Sequence, residues 1–308
     1  MSPRPTLRLG TRGSDLARTQ SGTVATALRQ AGFDIELTII KTAGDQNATA
    51  PFASIGPQGV FVREIEQALV ERRIELAVHS FKDLPTKSPP ELVVAAVPAR
   101  IDPADLLLVR RAALAGDAGG WLPLTRGARV GTASARRRVW LTHFRPDLTV
   151  LPLRGNVPTR VRKLADGEFD AIVLAAAGIE RLRAEPRLGS ALADLEAIRL
   201  DPTRFVPAPA QGALAVQCRR DDPAVLEALR LIDDALSGAA VTAERDALAR
   251  AEGGCDIAFG AYCFATGGGY ELLAMHERPG VVRAARVRGA DVGTLGAAVT
   301  AELDRASA

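Results

Sequence analysis

The sequence predicts an α/β protein with mixed, mostly parallel sheets and a smaller α+β region at its carboxyl end. Short apolar runs typical of buried strands alternate with helical patterns from residue 6 to residue 218. Two proline-containing stretches, 97–105 and 201–212, interrupt this alternation. They divide the 308 residues into segments of ordinary domain size.

The first hundred residues alternate strand and helix. The strand patterns cover 6–10, 34–40, 74–80 and 92–97. One helical pattern runs from a capping Ser14 to about Ala31, with Gly32 as its stop, and a second covers 60–73. Elements of these lengths are typical of βαβ units with parallel strands.

The alternation resumes after the first break and changes after the second. Its elements are strands at 106–109, 128–132, 148–153 and 170–175 and helices at 134–144 and 156–166. After residue 212 come a strand at 213–218, helical patterns at 222–236 and 239–251, and short strands separated by glycines. We therefore expect two α/β units and a smaller tail.

Composition excludes several classes of protein. Hydrophobic residues make up 47% and charged residues 24%, as in ordinary globular proteins. The apolar runs are shorter than a bilayer span and the first residues lack a signal-peptide core, so we expect a cytoplasmic protein without a membrane partner. We expect a monomer, because the sequence shows no long heptad pattern and no obvious exposed apolar face. Three cysteines without CxxC spacing and three scattered histidines predict neither disulfides nor a metal site. Only 4% of residues are aromatic, which disfavours nucleic-acid binding.

Positive charge is concentrated in the middle of the chain. Residues 100–200 hold 17 lysines and arginines against 11 acids, whereas the rest of the chain holds 22 against 25. Three strand-to-helix turns, at 10–15, 131–138 and 153–160, combine glycine, a small polar residue and arginine. Such turns are typical of a site for a ligand with several negative groups. Helix capping by Ser14, Ser134 and Asn156 is the alternative explanation of each turn taken alone.

Two further stretches carry chemical groups. The motif "HSFKDLP" at 79–85 places Lys82 and Asp83 after a strand, either as a surface ion pair or as a carboxylate that stabilises a cation. We interpret His79 as structural, and Ser80 as structural on the residues alone. Cys255 follows two glycines in "AEGGCDIAFG", a mobile setting for a nucleophilic thiol. Cys218 and Cys263 alternate with apolar residues and are predicted to be buried.

Eight motifs occur in the order found in one enzyme family. They are "TRGSDLA", "GVFVREIEQAL", "AVHSFKDLP", "GTASARRR", "LRGNVPTR", "DAIVLAAAGIERL", "PAPAQGALAVQC" and "AEGGC". Over residues 6 to 290 the chain resembles the porphobilinogen deaminase family. The resemblance implies three domains, covering 1–99 with 205–219, then 100–204, then 220–308. The first two would be similar to the lobes of periplasmic binding proteins.

The resemblance also implies the reaction and its cofactor. Members of the family condense four porphobilinogen molecules head to tail, with release of ammonia, into the linear tetrapyrrole hydroxymethylbilane. The product grows on a dipyrromethane cofactor made from substrate, and Cys255 matches the cysteine that holds this cofactor through a thioether.

Residue roles follow from the same motifs. Asp83 matches the catalytic carboxylate that stabilises the azafulvenium cation left by ammonia. The matching cofactor-binding positions are Lys82, Ser80, Thr132, Ser134, Arg136, Arg137 and Gly155. The matching substrate-binding positions are Arg12, Ser14, Gln20, Arg154 and Arg181.

Four positions depart from the family pattern. Gln58 replaces a loop lysine, Asp15 and Ala258 stand where proline is common, and Ala210 replaces a glycine. None removes a named catalytic group, but Gln58 changes what the 45–60 loop can offer to a carboxylate. The alternatives from other classes are a non-catalytic two-lobed anion-binding protein and an anion-sensing regulatory domain.

Overall fold

A computed structural model describes residues 6–41, 62–116, 120–251, 257–278 and 280–305. The strands are β1 (Leu7–Thr11), β2 (Ile35–Ile39), β3 (Leu76–Ser80), β4 (Leu92–Ala96), β5 (Asp105–Arg110), β6 (Arg129–Thr132), β7 (Thr149–Pro152), β8 (Ala171–Ala175), β9 (Leu195–Arg199), β10 (Leu214–Arg219), β11 (Phe259–Thr266), β12 (Gly269–Arg278) and β13 (Val281–Gly289). The helices are α1 (Asp15–Gln30), α2 (Arg63–Val70), α3 (Ala135–Phe144), α4 (Val157–Ala165), α5 (Ala176–Arg181), α6 (Pro186–Leu192), α7 (Pro223–Arg230), α8 (Ala235–Arg250) and α9 (Leu295–Arg305).

The chain forms two compact units, each from two stretches of sequence. The first contains residues 1–101 and 212–242, and the second contains residues 102–211 and 243–308. The boundaries near 101 and 211 fall within the two proline-containing stretches that interrupt the sequence pattern. The division into three domains stays a prediction.

The first unit is built on a five-stranded sheet with the order β2-β1-β3-β10-β4. Both neighbours of β1 run parallel to it, whereas β10 is antiparallel to β3 and to β4. One core packs Leu9, Leu28 and Val216 together with α7, and a second gathers around Leu69 and Ile74.

The second unit repeats this arrangement with different strands. Its five-stranded sheet has the order β7-β6-β8-β5-β9. Strand β6 has parallel neighbours on both sides, and β5 is antiparallel to β8 and to β9. Trp140 and Phe205, both fully buried, lie in the core beside this sheet. Strands β11, β12 and β13 add an antiparallel sheet, and α9 contacts β12 and β13.

The α/β prediction is confirmed, and each five-stranded sheet is mixed as expected. The sheets are not mostly parallel as predicted, because β10 and β5 run antiparallel to both of their neighbours and only half of the pairings in each sheet are parallel. The predicted helix over 222–236 extends too far, since α7 ends at Arg230 and α8 begins at Ala235. Elements α5, α6, β9 and α9 were not predicted. Their sequences are short or rich in alanine, so neither strand nor helix periodicity stands out.

Candidate functional site

The first predicted turn joins β1 to α1. Ser14 caps α1, since its Oγ accepts a hydrogen bond from the Ala17 N–H at 3.4 Å. Arg12, half buried, lies between the end of β1 and this cap. Gly10 allows close packing there, because a Cβ at this position would collide with the Ile74 side chain. The capping interpretation of Ser14 is confirmed, and its contact with substrate stays a prediction.

Gln20 and Ser80 form a hydrogen bond with each other. The Nε2 of Gln20 donates to the Oγ of Ser80 at 2.8 Å, and Gln20 is buried. Because Gln20 lies on α1 and Ser80 ends β3, the bond ties the helix to the carboxyl end of that strand. The direct ligand contacts expected of both residues stay predictions.

Asp83 lies on a tightly held turn after β3. Residues Phe81–Asp83 form one turn of 3₁₀ helix, and the side chains of Phe81, its first residue, and of Leu84, which follows it, are buried. The Phe81 N–H donates to the carbonyl oxygen of Ala213 at 3.1 Å, which fixes the start of the turn. Asp83 is exposed, and within the described ranges its carboxylate has no hydrogen-bond or ion-pair partner. The fold therefore presents a carboxylate on a rigid support beside the turn that carries Arg12.

His79 belongs to a buried polar network next to this turn. Its Nε2 lies 3.1 Å from Oε1 of Gln217, whose amide donates to Glu66 at 2.9 Å and to Ser88 at 3.3 Å. Since the Gln217 amide nitrogen faces Glu66, its oxygen accepts and His79 donates from Nε2. Burial lowers the pKa of His79 to about 4, the hydrogen bond to Gln217 opposes this, and the charge of Arg12 adds to it. His79 is therefore a neutral structural residue, as predicted.

The second predicted turn joins β6 to α3. Ser134 accepts a hydrogen bond from the Arg137 N–H at 3.4 Å and donates its own N–H to Oγ1 of Thr132 at 3.2 Å. Thr132 is buried, so both hydroxyl groups are engaged in shaping the turn. Gly131 is required by close packing, because a Cβ there would lie 2.8 Å from the Phe169 ring.

The side chains of Arg136 and Arg137 lie inside the second unit, where they share one carboxylate. Asp105, fully buried at the start of β5, pairs with Arg136 at 2.8 Å and with Arg137 at 2.7 Å. Arg136 also donates to the carbonyl oxygen of Val206 at 2.9 Å, and Arg137 to that of Val173 at 3.1 Å. The family resemblance implies that these guanidinium groups meet cofactor carboxylates. In this structure they instead bind Asp105 and the backbone, and cofactor binding stays a prediction.

The charges of this cluster control the ionisation of Asp105. Burial alone would raise the pKa of the Asp105 carboxyl, but the charges of Arg136 and Arg137 outweigh it and hold the pKa well below its usual range. Burial also lowers the pKa of Arg136, and Asp105 opposes that effect. The cluster therefore contains two guanidinium groups and one carboxylate.

The third turn lies between β7 and α4. Asn156 caps α4 by accepting the Thr159 N–H at 2.9 Å, which confirms the capping interpretation. Gly155 has a φ of +115°, a conformation that strongly favours glycine. Arg154 is exposed. Arg181, at the end of α5, is half buried, and burial lowers its pKa to about 10.

Within each unit the predicted residues gather at one sheet edge. Strands β1 and β3 are parallel neighbours, so the turns carrying Arg12 and Asp83 lie at the same edge. Strands β7, β6 and β8 are also adjacent and parallel, which places the turns after them together. In α/β sheets this is the edge where ligands bind. Cys255 and Gln58 lie outside the described residues.

Asp105 and Gln211 were not predicted from the sequence. Gln211, fully buried, donates from Nε2 to Oδ1 of Asp105 at 2.9 Å and accepts from Arg137 at 3.3 Å. An acid opening the apolar run "DLLLV" is the signal that could have marked Asp105. Cys218 and Cys263 are buried as predicted, and burial raises the pKa of Cys218 to about 11.

Two kinds of feature are absent from the described part of the chain. There, no three His, Cys, Asp or Glu side chains are grouped so that they could hold a metal ion. Among the helices given above, none combines the length and the apolar character needed to cross a membrane.

Comparison with known proteins gives consistent matches. The family described as "Porphobilinogen deaminase, dipyromethane cofactor binding domain" matches residues 7–227. Porphobilinogen deaminase of Roseiflexus castenholzii is 41% identical, covering 97% of this chain and 96% of the relative. That of Syntrophobacter fumaroxidans is 42% identical (87% and 83%), and that of Nocardia farcinica 46% (83% and 69%).

Solved structures align more loosely. A putative periplasmic sulfonate-binding protein from Methylobacillus flagellatus KT aligns with a TM-score of 0.42 and 13% identity, covering 74% of this chain and 67% of that protein. The sequence relatives decide the assignment, because they are 41–46% identical over most of the chain. The chain belongs to the porphobilinogen deaminase family.

Proposed function

We propose residue roles for the reaction that defines this family. The chain is a transferase that condenses four porphobilinogen molecules into hydroxymethylbilane and uses a dipyrromethane cofactor. When bound, the dipyrromethane supplies the pyrrole carbon to which the first substrate molecule is joined. Each coupling releases ammonia, so the protein must tolerate positive charge on a pyrrole while holding acidic side chains.

Asp83 is the catalytic group in this proposal. The observation that carries it is an exposed carboxylate on a turn pinned by buried Phe81 and Leu84, next to the turn of Arg12. A carboxylate held in this way accepts hydrogen bonds from pyrrole N–H groups. It also stabilises the positive charge that develops as ammonia leaves, because it needs no reorganisation at that moment.

The basic residues bind the acidic side chains. Each pyrrole carries an acetate and a propionate, so every coupling adds two negative charges. Arginine and lysine beside helix amino termini suit such groups. The proposed substrate-binding residues are Arg12, Ser14, Gln20, Arg154 and Arg181. The proposed cofactor-binding residues are Lys82, Ser80, Thr132, Ser134, Arg136, Arg137 and Gly155.

The chemistry of the second unit suits an anionic cofactor. Two buried guanidinium groups face a single carboxylate, which leaves the cluster with a net positive charge. Nε of Arg136 is buried and, within the part of the chain that is described, has no hydrogen-bond partner. A ligand with carboxylates would supply the missing negative charge.

Cys255 is the proposed attachment point for the cofactor. Its sulfur would hold the cofactor through a thioether to the aminomethyl carbon of a porphobilinogen, with the amino group and the thiol proton lost as ammonia. Cys218 and Cys263 are buried and cannot serve in its place without unfolding. We further propose a cytoplasmic monomer with the three domains predicted from the sequence.

Intact-mass spectrometry of the purified protein tests the proposal. The wild type should carry an added mass equal to one dipyrromethane and convert porphobilinogen to hydroxymethylbilane. Cys255→Ala should lack both the added mass and the product. Cys263→Ala, which removes a buried sulfur from β11, is the matched control and should retain both. An added mass that persists in Cys255→Ala would place the attachment elsewhere, and a wild type without mass or product would overturn the function.

A further inference from the structure

The first turn of α3 breaks an ordinary rule of helix stability. Arg136, Arg137 and Arg138 follow the capping Ser134, and this turn contains no acidic residue. Cations near a helix amino terminus are repelled by its dipole and by one another. Side chains that violate a local preference in this way are expected where function requires them, provided that another group offsets the cost.

Asp105 is the group that offsets it. Its Oδ1 accepts from Nε of Arg137 at 3.0 Å and from Nη2 at 2.7 Å, while its Oδ2 lies 2.8 Å from Nη1 of Arg136. Asp105 begins β5, which is paired with β8 and β9 along its length, so the carboxylate is attached to a rigid support.

Gln211 fixes the carboxylate in turn. Its Nε2 donates to Oδ1 of Asp105 at 2.9 Å and to the carbonyl oxygen of Pro103 at 2.9 Å. Its Oε1 accepts from Nη2 of Arg137 at 3.3 Å. The neighbouring Ala210 N–H is held by the buried carboxylate of Glu244 at 2.6 Å. Asp105 therefore bonds to both arginines, and Gln211 bonds to Asp105 and to Arg137.

The net charge of the cluster formed by Arg136, Arg137 and Asp105 indicates whether Asp105 has a purely structural role or a positioning role. A structural ion pair buried in a core is expected to be neutral, because an uncompensated buried charge is costly. Here one carboxylate serves two guanidinium groups, and Nε of Arg136 is left without a partner among the described residues. The cluster is thus arranged to hold a positive charge in a fixed place.

We propose that Asp105 is a positioning residue that orients Arg136 and Arg137 for the carboxylates of the dipyrromethane cofactor, with Gln211 holding Asp105. This inference rests on the proposed function, in which the two arginines bind the cofactor. Asp105 itself touches neither cofactor nor substrate in this role. It sets the direction of the guanidinium groups and limits their combined charge.

The test measures how fast the full-length protein acquires its cofactor. Protein produced without a supply of porphobilinogen is incubated with porphobilinogen, and the mass added per folded molecule is followed over time. Asp105→Asn keeps the size of the side chain and one acceptor but loses the charge. We expect its loading to be about 10- to 100-fold slower than that of the wild type, because misplaced groups reduce rates by such factors.

Glu271→Gln is the matched control in the same unit. Glu271 is also a buried carboxylate bonded to two arginines, but Arg286 and Arg288 are exposed, so water solvates their charge, and Glu271 lies on β12. Substitution of either carboxylate should lower the denaturation midpoint, whereas only Asp105→Asn should slow loading. Equal loading rates in Asp105→Asn and the wild type would overturn the proposal.

A second variant covers the case in which Asp105→Asn does not fold. Gln211→Met removes the hydrogen bonds to Asp105 and Arg137 and leaves both ion pairs intact. Gln211→Met should slow cofactor loading to a smaller extent than Asp105→Asn. If Asp105→Asn is insoluble, a folded Gln211→Met protein that loads as fast as the wild type would contradict the positioning role. A wild type that never acquires the added mass would instead refute the proposed function.

Discussion

Acid should destabilise this protein through His79, and the size of the effect follows from the burial of its ring. The ordinary pKa of 6.5 falls to about 4 in the folded protein. As the pH decreases through 6.5, His79 becomes protonated in the unfolded chain, whereas in the folded protein it stays neutral until about pH 4. The free energy of unfolding therefore falls across this window, by about 3 kcal/mol for a shift of this size.

Other groups act in or near the same window. The pKa of His276 is also lowered by burial, so His276 contributes in the same direction. The pKa of Glu66 is raised by burial, so its protonation favours the folded state and opposes His79. The pKa values of Asp105 and Asp147 are lowered by their arginine partners, so their effects come at more acidic pH. Comparison of variants isolates the contribution of His79.

Urea unfolding from pH 7.5 to pH 4.5, followed by circular dichroism, measures the effect. His79→Gln retains a side-chain N–H for Gln217 and removes the titrating ring. Its unfolding free energy should fall less steeply with acid than that of the wild type. His143→Gln, which removes an exposed imidazole from α3, is the matched control. Identical pH slopes in the wild type and His79→Gln would refute the reasoning.

Three further outcomes are expected. Asp83→Asn should fold normally and lower the single-turnover rate by on the order of 10²–10³, and a wild-type rate would make this carboxylate structural. Gly131→Ala should reduce the unfolding free energy, measured by urea unfolding, by about 1–3 kcal/mol, because its Cβ would lie 2.8 Å from the Phe169 ring. The double variant with Phe169→Leu should recover part of this loss. Ala210→Gly should change the unfolding free energy by less than about 1 kcal/mol. Glycine relieves the strain of a φ of +60°, but the unfolded chain gains freedom and a buried methyl group is lost. A decrease in unfolding free energy well above this value would show that the turn is not strained.

Local sequence patterns predicted most of the secondary structure near the site. Ser14, Ser134 and Asn156 have short polar side chains immediately before helical patterns, and each caps the predicted helix. The strands that precede these turns are apolar and short, so their positions could be predicted to within one or two residues. The family motifs then predicted which residues of these turns bind cofactor or substrate.

Contacts between distant residues could not be predicted in the same way. Asp105 and Gln211 are far apart in sequence and meet only in the folded second unit, to which both belong. The burial of Arg136 and Arg137 also escaped prediction, since arginine is usually exposed. Sequence composition indicated positive charge in this region but not the carboxylate that controls it.

The position of β10 has a consequence for synthesis of the chain on the ribosome. Strand β10 lies between β3 and β4 in the first sheet, yet it is translated after every strand of the second sheet. The nascent chain therefore completes β5 to β9 while β3 and β4 still present unpaired edges. Unpaired edges in a partly folded chain promote aggregation. We expect truncated chains that end before residue 214, which lack β10, to aggregate more readily than the full-length chain.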